Sequence, residues 1–359
     1  MHFKENFDIP EEIVYLNSPS NGLLPKETKA WRMVWDKEFF DTQGSFRDQQ
    51  PEFIADVKET VAKFFHSEIE STFLIPNFSF GYSTLIDLLP RHYSYLVLTD
   101  EYPSLQYPIV NRRLKHTVIK PEEHVEQAIE QAIDEYNPDV FIVSIVQYIT
   151  GLKIDLEFIQ RLKRRNPSLL IIADGTQFLG TEPFNFKQSG IDALAGSGYK
   201  WLLSGYGNGF LLMSDGLTRR LQNILSDVPL PKVAMWKHKG ILNTFFEPGH
   251  QETLSHGTLK QSLLKLEELG LENIQQHIQQ VTQEAYQLLA ERNLLLPEIK
   301  EREVRSSLIN IQVDPQLYDQ LTKAGAICFP RGTGIRIGIH LYNDISDVHR
   351  LIEIIDKLR

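Results

Sequence analysis

The chain reads as an α/β protein: a large, mainly parallel sheet domain followed by a smaller α+β domain. Three observations predict this. Short apolar runs recur at 72–76, 95–99, 139–146, 169–173, 191–195 and 210–213. They are too short for helices and lack strict alternation, as strands buried on both faces of a parallel sheet do. Segments with helical spacing, including 51–67, 122–136 and 155–165, lie between several of them and supply the crossovers that parallel strands need. Beyond about residue 255 the pattern changes to a long helix (272–292), then strand 304–313, helix 315–324, strand 334–341 and helix 344–358.

Taken in order, residues 13–25 are a short extended entry and a turn-rich loop holding Asn17, Asn21 and Gly22. From Pro51 to Ser67 the apolar positions Phe53, Ile54, Val57, Val61, Phe64 and Phe65 mark an amphipathic scaffold helix. The strand 72–76 leads into a turn at 77–81 and a helix from Tyr82 to Leu89, stopped by Pro90. A strand–turn–helix of this kind offers backbone N–H groups and a favourable dipole to a phosphate, although no Gly-rich phosphate motif is present. The strand 95–99 ends in Asp100-Glu101-Tyr102, and 139–146 ends in Gln147-Tyr148. Asp155 caps the next helix. Residues 214–250 read as a long, loop-rich connection.

The chemistry concentrates between residues 169 and 201. The apolar run 169–173 ends on Asp174, which places a carboxylate at the carboxyl edge of the sheet, where α/β proteins bind ligands. Gln177 follows in the same loop. The next apolar stretch delivers Ser197-Gly198-Tyr199-Lys200-Trp201. Lys200, flanked by two aromatic rings, is expected to be partly desolvated, which lowers its pKa and frees its amine. A carboxylate and an activated lysine in one cleft are what pyridoxal 5'-phosphate requires: the lysine as Schiff-base partner, the carboxylate to keep the pyridine nitrogen protonated. Either residue alone is an ordinary strand-end Asp or surface Lys. Together with Gln177, Ser197 and Tyr199 they form a set.

Asp174-Gly-Thr-Gln177 followed by Ser197-Gly-Tyr-Lys200 resembles the Asp-x-x-Gln and Ser-x-His-Lys signature of class V aminotransferases, fold-type I enzymes that include cysteine desulfurases and isopenicillin-N-epimerase-like proteins. Tyr199 stands where many members have His. The resemblance implies a seven-stranded, mainly parallel sheet, a segment 1–20 lying over the active site, a large cofactor-binding domain at 21–254 and a small domain at 255–359. It implies Lys200 as Schiff-base lysine and general base, Asp174 at the ring nitrogen and Gln177 beside the ring hydroxyl. Phe78, Ser79, Ser197 and Tyr199 fall to the phosphate, and Tyr102 to stacking on the ring. Gln147 replaces a missing ring-hydroxyl contact. Thr258, otherwise a plain helix N-cap, reaches the phosphate of a neighbouring subunit, so the protein is expected to be a homodimer with shared active sites. Arg336 grips the substrate α-carboxylate, Arg331 serves the same pocket, and Asn21 touches substrate.

Composition narrows the class. A net charge of −10 opposes a nucleic-acid partner. No apolar run approaches the roughly 20 residues of a membrane span, and the first residues lack a signal-peptide core. A cytoplasmic protein is expected. His238, His250 and His256 match no metal-ligand spacing, so no metal is expected. The single cysteine, Cys328, lies in an apolar stretch before Arg331 and reads as a buried small hydrophobe, which opposes a persulfide mechanism. The expected activity is an aminotransferase using an amino acid and a 2-oxo acid, with an epimerase or lyase of the same fold as alternative. A Ser-x-x-Lys hydrolase lacks its companion motifs, and a non-catalytic relative is opposed by the intact Lys200, Asp174 and Arg336.

Overall fold

The computed structural model describes residues 3–42, 44–120, 124–233, 236 and 239–359. At its centre is a seven-stranded sheet. Its strands in chain order are β1 (Thr72–Ile75), β2 (Ser94–Leu98), β3 (Lys115–Ile119), β4 (Val140–Ser144), β5 (Leu170–Asp174), β6 (Ala193–Ser197) and β7 (Gly209–Met213). The order across the sheet is β1-β7-β6-β5-β4-β2-β3. Only β7 runs against its neighbours. Successive residues feed opposite faces: Leu96 and Phe141 pack on one side, Val97 and Ile142 on the other. Burial on both faces is why these strands read as continuous apolar runs.

The exception is β3. It forms the sheet edge, none of its residues is buried, and its sequence Lys-His-Thr-Val-Ile carries no apolar run. The sequence pattern passed over it for that reason. Three other expectations are corrected. The helix expected from Pro51 runs Phe46–Phe64 with Pro51 inside it, and a further helix, Lys26–Asp41, precedes it. The helix expected from Tyr82 begins at Phe78, where Asn77 caps it by accepting from the N–H of Phe80 at 3.0 Å. The loop-rich stretch 214–250 contains helices Asp215–Ile224, capped by Ser214, and Ile241–Phe246. Residues 121–123, at the expected start of helix 122–136, and His238 lie outside the described residues.

The C-terminal part holds a three-stranded antiparallel sheet with Gly334–Gly338 between Phe329–Arg331 and Leu308–Ile311. Helices Leu271–Glu291 and Ile345–Leu358 pack with it. The expected strands 304–313 and 334–341 are thus shorter, and 315–324 divides into a 3-10 turn and the helix Tyr318–Lys323. The expected boundary at 254/255 falls inside the helix Thr253–Leu269. That helix packs against the two N-terminal helices, since a side chain at Gly257 would strike Trp31 and Phe53. The first residues join the C-terminal part instead. Val14–Tyr15 pairs in parallel with Ala326–Ile327, Asn17 bridges to Gly338, and Lys4 binds Asp347 at 2.9 Å. The chain therefore crosses back over the carboxyl edge of the large sheet between residues 17 and 22. Among the described residues, no helix is long and apolar enough to cross a membrane.

Candidate active site

A cavity of about 410 Å3 opens at the carboxyl ends of β4, β5 and β6. Strand geometry places its floor. Ser144 and Asp174 are paired in register at the ends of β4 and β5, and Asp174 pairs with Ala195 of β6. Both polar side chains emerge where the strands stop, and both line the cavity. Asp174 is buried, and its Oδ1 accepts from the N–H of Thr176 at 2.8 Å. Burial raises its pKa, while the Thr176 bonds and the charge of Lys200 oppose the shift.

Lys200 lies in the turn after β6 and is buried. Removal from water brings its pKa down to about 7; Asp174 pulls upward, and Arg336 and Arg331 push further down. Its Nζ stands 5.8 Å from the ring centre of Tyr102 and 5.5 Å from that of Tyr199. Trp201, expected to flank it, turns away. Its indole donates to Oε1 of Gln177 at 2.8 Å and its ring packs on His340. Desolvation thus comes from the cleft itself, with the tyrosines as its walls.

Phe78, Ser79, Tyr102, Asp174, Gln177, Ser197, Tyr199 and Lys200 all line this one cavity. Ser197 accepts the N–H of Phe78 on its Oγ at 2.9 Å, joining the end of β6 to the first turn of the helix Phe78–Leu88. Tyr199 stacks on Tyr206 with ring centres 4.7 Å apart, and burial raises its phenol pKa.

Five expected residues, Gln147, Asn21, Thr258, Arg331 and Arg336, stand outside the lining of this cavity. Gln147 does not line the cavity: its Oε1 accepts from the N–H groups of Ile149 and Thr150, and its Nε2 donates to Asp100 O. It shapes a turn. Asn21 also stays outside the lining; its backbone carbonyl accepts from Tyr15 at 2.7 Å. The neighbouring Ser20 accepts from Arg336 at 2.8 Å. Thr258 is no N-cap, since Glu252 caps the helix Thr253–Leu269. It is fully buried; its hydroxyl donates to Leu254 O and accepts from Arg32, both at 2.6 Å.

Arg336 is buried on the central strand of the small sheet. Besides Ser20 it donates to Tyr148 O at 2.7 Å, and its Nε has no partner among the described residues. Burial, with Arg331 nearby, brings its pKa down to about 10. No carboxylate neutralises it among the described residues, so the guanidinium keeps bonding capacity for a ligand.

Sequence reasoning missed several lining residues. Ser144, Val146, Tyr148, Thr176, Tyr206 and Gly207 all face the cavity. Thr176 lies within the Asp-x-x-Gln motif, which was its available signal. Glu101 is the other omission. It is fully buried, and its carboxylate accepts both the N–H and the hydroxyl of Ser144. Burial pushes its pKa up to about 7 against those bonds, and Asp174 adds to the rise. No local pattern separates it from an exposed Glu.

Comparison with known proteins agrees with this architecture. A curated relative, the uncharacterized aminotransferase YcbU of Bacillus subtilis, is 26% identical over 218 residues, 58% of this chain. The match spans 56% of that relative's length. The apo structure of a cysteine desulfurase from Thermococcus onnurineus superposes with a TM-score of 0.85 at 16% identity, covering 99% of this chain and 97% of the other. A cystine C–S lyase in complex with cysteine persulfide superposes with a TM-score of 0.79 at 18% identity, covering 96% and 98%. At such identities these structures show the shared fold. The Aminotransferase class-V family matches residues 46–351, and by that match the chain is a member of the class V aminotransferase family.

Proposed function

We propose that the chain is an amino-acid aminotransferase that uses pyridoxal phosphate, the cofactor of its family, and returns the amino group to a 2-oxo acid. The observation that carries this reading is one buried cleft holding Lys200, with its pKa near 7, and Asp174. The residues present fit the cofactor. Tyr102 offers a flat ring, the helix at Phe78–Ser79 directs its first turn at the cavity, and the buried Nε of Arg336 lacks an acceptor. In this reading Phe78, Ser79, Ser197 and Tyr199 hold the phosphate, and Asp174 holds a proton at the ring nitrogen.

Bound pyridoxal phosphate supplies an electron sink for charge developing at the substrate Cα. The chain supplies the rest. Arg336 holds the α-carboxylate with two parallel donors and so orients the Cα–H bond. Lys200, half neutral near pH 7, takes that proton at Nζ and redelivers it. Tyr102 covers the cleft and excludes water from one side. The desulfurase route is opposed by Cys328, which is buried with its thiol pKa pushed up to about 12.

The same reading makes the protein a homodimer. Met33, Val34, Phe39 and Phe40 are exposed on the helix Lys26–Asp41, and Tyr206 is exposed at the cavity mouth. Apolar surface of that extent suits a second copy.

The test is absorption spectroscopy of the purified protein with pyridoxal phosphate. A violet band abolished by borohydride, with a pyridoxyl adduct on the Lys200 peptide, is expected, and neither is expected in Lys200→Ala. Incubation with amino donor alone should release one oxo acid per subunit and no ammonia. Ammonia release would make the enzyme a lyase, and absence of the band would sink the cofactor reading.

A further inference from the structure

Arg336 is not the only cation near the site: it and Arg331 stand outside the cavity lining, beside the turn that carries the lining residue Tyr148. In the small sheet Phe329 stands opposite Arg336, and Arg331 stands opposite Gly334. Opposed residues of an antiparallel pair share a face, and so do residues two apart on one strand. Arg331 and Arg336 therefore project from the same face as diagonal neighbours, their Cα atoms roughly 7–8 Å apart. The two like charges repel, and Arg331 adds to the lowering of the Arg336 pKa. Among the described residues neither guanidinium has a carboxylate partner. Arg331 lies over the ring of Phe329, at 4.8 Å, and is exposed.

The placement is built in. Asn310 donates to Arg331 O at 2.9 Å and to Ile149 O at 3.0 Å, pinning the hairpin to the turn that carries Tyr148. Gly332, at the hairpin tip with φ +56°, approaches Ile149 so closely that a Cβ there would lie 2.6 Å from its Cγ2. Tyr148 lines the cavity, gives its backbone carbonyl to Arg336, and feels the charge of Arg331 as well as that of Asp100. Both arginines also depress Lys200, so both fields reach the reacting amine.

Resting on the amino-acid reading of this site, we propose that the substrate is an acidic amino acid, with Arg336 on its α-carboxylate and Arg331 on the carboxylate of its side chain. The paired guanidiniums set specificity: a basic side chain is repelled, and an apolar one leaves Arg331 unanswered. The cavity of about 410 Å3, shared with the cofactor, suits a short side chain.

Isothermal titration at physiological ionic strength tests this with glutarate and, as the single-carboxylate control, butyrate. Glutarate should bind at least tenfold more tightly than butyrate. Arg331→Gln should bring glutarate down to the affinity of butyrate, whereas Arg336→Gln should weaken both. Equal affinity for the two acids, or a glutarate preference that survives Arg331→Gln, overturns the proposal. Exposure of Arg331 makes its variant safe for folding, and circular dichroism checks that. The borohydride-sensitive band is read separately. Its absence with an intact glutarate preference would sink the cofactor reading while the arginine pair stands.

Discussion

Trp201 Nε1 donates to Gln177 Oε1 at 2.8 Å, while Gln177 Nε2 donates to Pro19 O at 3.0 Å. One buried amide thus joins the lysine turn, the loop after β5 and the segment that crosses over the sheet edge. Trp201→Phe removes the donor and leaves a buried carbonyl unsatisfied, at a cost of about 1–3 kcal/mol. Urea unfolding should show that loss. The pH window over which Lys200 changes the stability of the cofactor-free protein should stay where it is, because the indole bonds Gln177 and not Lys200.

Gly22 N–H donates to Tyr199 O at 2.8 Å, so the entry segment lies directly on the catalytic turn. A Cβ at Gly22 would stand 1.9 Å from the carbonyl oxygen of Lys200. Gly22→Ala must push one backbone off the other. Weaker cofactor affinity by at least tenfold is expected, with loss of stability on the order of 1–3 kcal/mol. Fluorescence titration with pyridoxal phosphate checks the first and urea unfolding the second. Unchanged affinity would show that the contact has no bearing on the site.

Lys200 has its folded-state pKa lowered to about 7 from 10.5. Between those values the unfolded chain binds more protons, so stability of the cofactor-free protein rises with pH across the window. Lys200→Met keeps the volume and removes the titration. Its melting temperature, relative to the parent, should be higher near pH 7 by on the order of several degrees. The difference should shrink toward pH 10. Parallel pH curves for the two proteins would contradict a buried, depressed lysine.

Glu101 shifts the other way, from 4.5 to about 7. Its proton stabilises the fold fully below 4.5, and that contribution is lost as pH rises to 7. Glu101→Gln cannot ionise, so the melting temperature of the variant minus that of the parent should climb between pH 4.5 and 7. His256 and His340, buried with pKa values near 4, act oppositely in part of that range, but they are common to both proteins and cancel in the difference. A flat difference curve would place the Glu101 carboxylate in contact with water.

What the sequence determined by itself was local. Two-sided burial writes itself as continuous apolar runs, so the central strands and the carboxylate ending β5 were legible, and with them Asp174, Gln177, Ser197 and Lys200. Tertiary structure decided what periodicity does not encode. The edge strand β3, with none of its residues buried, left no apolar run. Parallel pairing of Val14–Tyr15 with Ala326–Ile327 brings together residues more than three hundred positions apart, and Ser20, a few residues on, meets Arg336. Helix caps were misjudged where the competing signal lay a few residues away: Glu252 begins the helix that buries Thr258, and Asn77 begins the one at Phe78. Gln147 and Glu101 look alike as polar residues after a strand. Only packing turns one into the brace of a turn and the other into a buried acid beside the site, because desolvation depends on neighbours that no stretch of sequence contains.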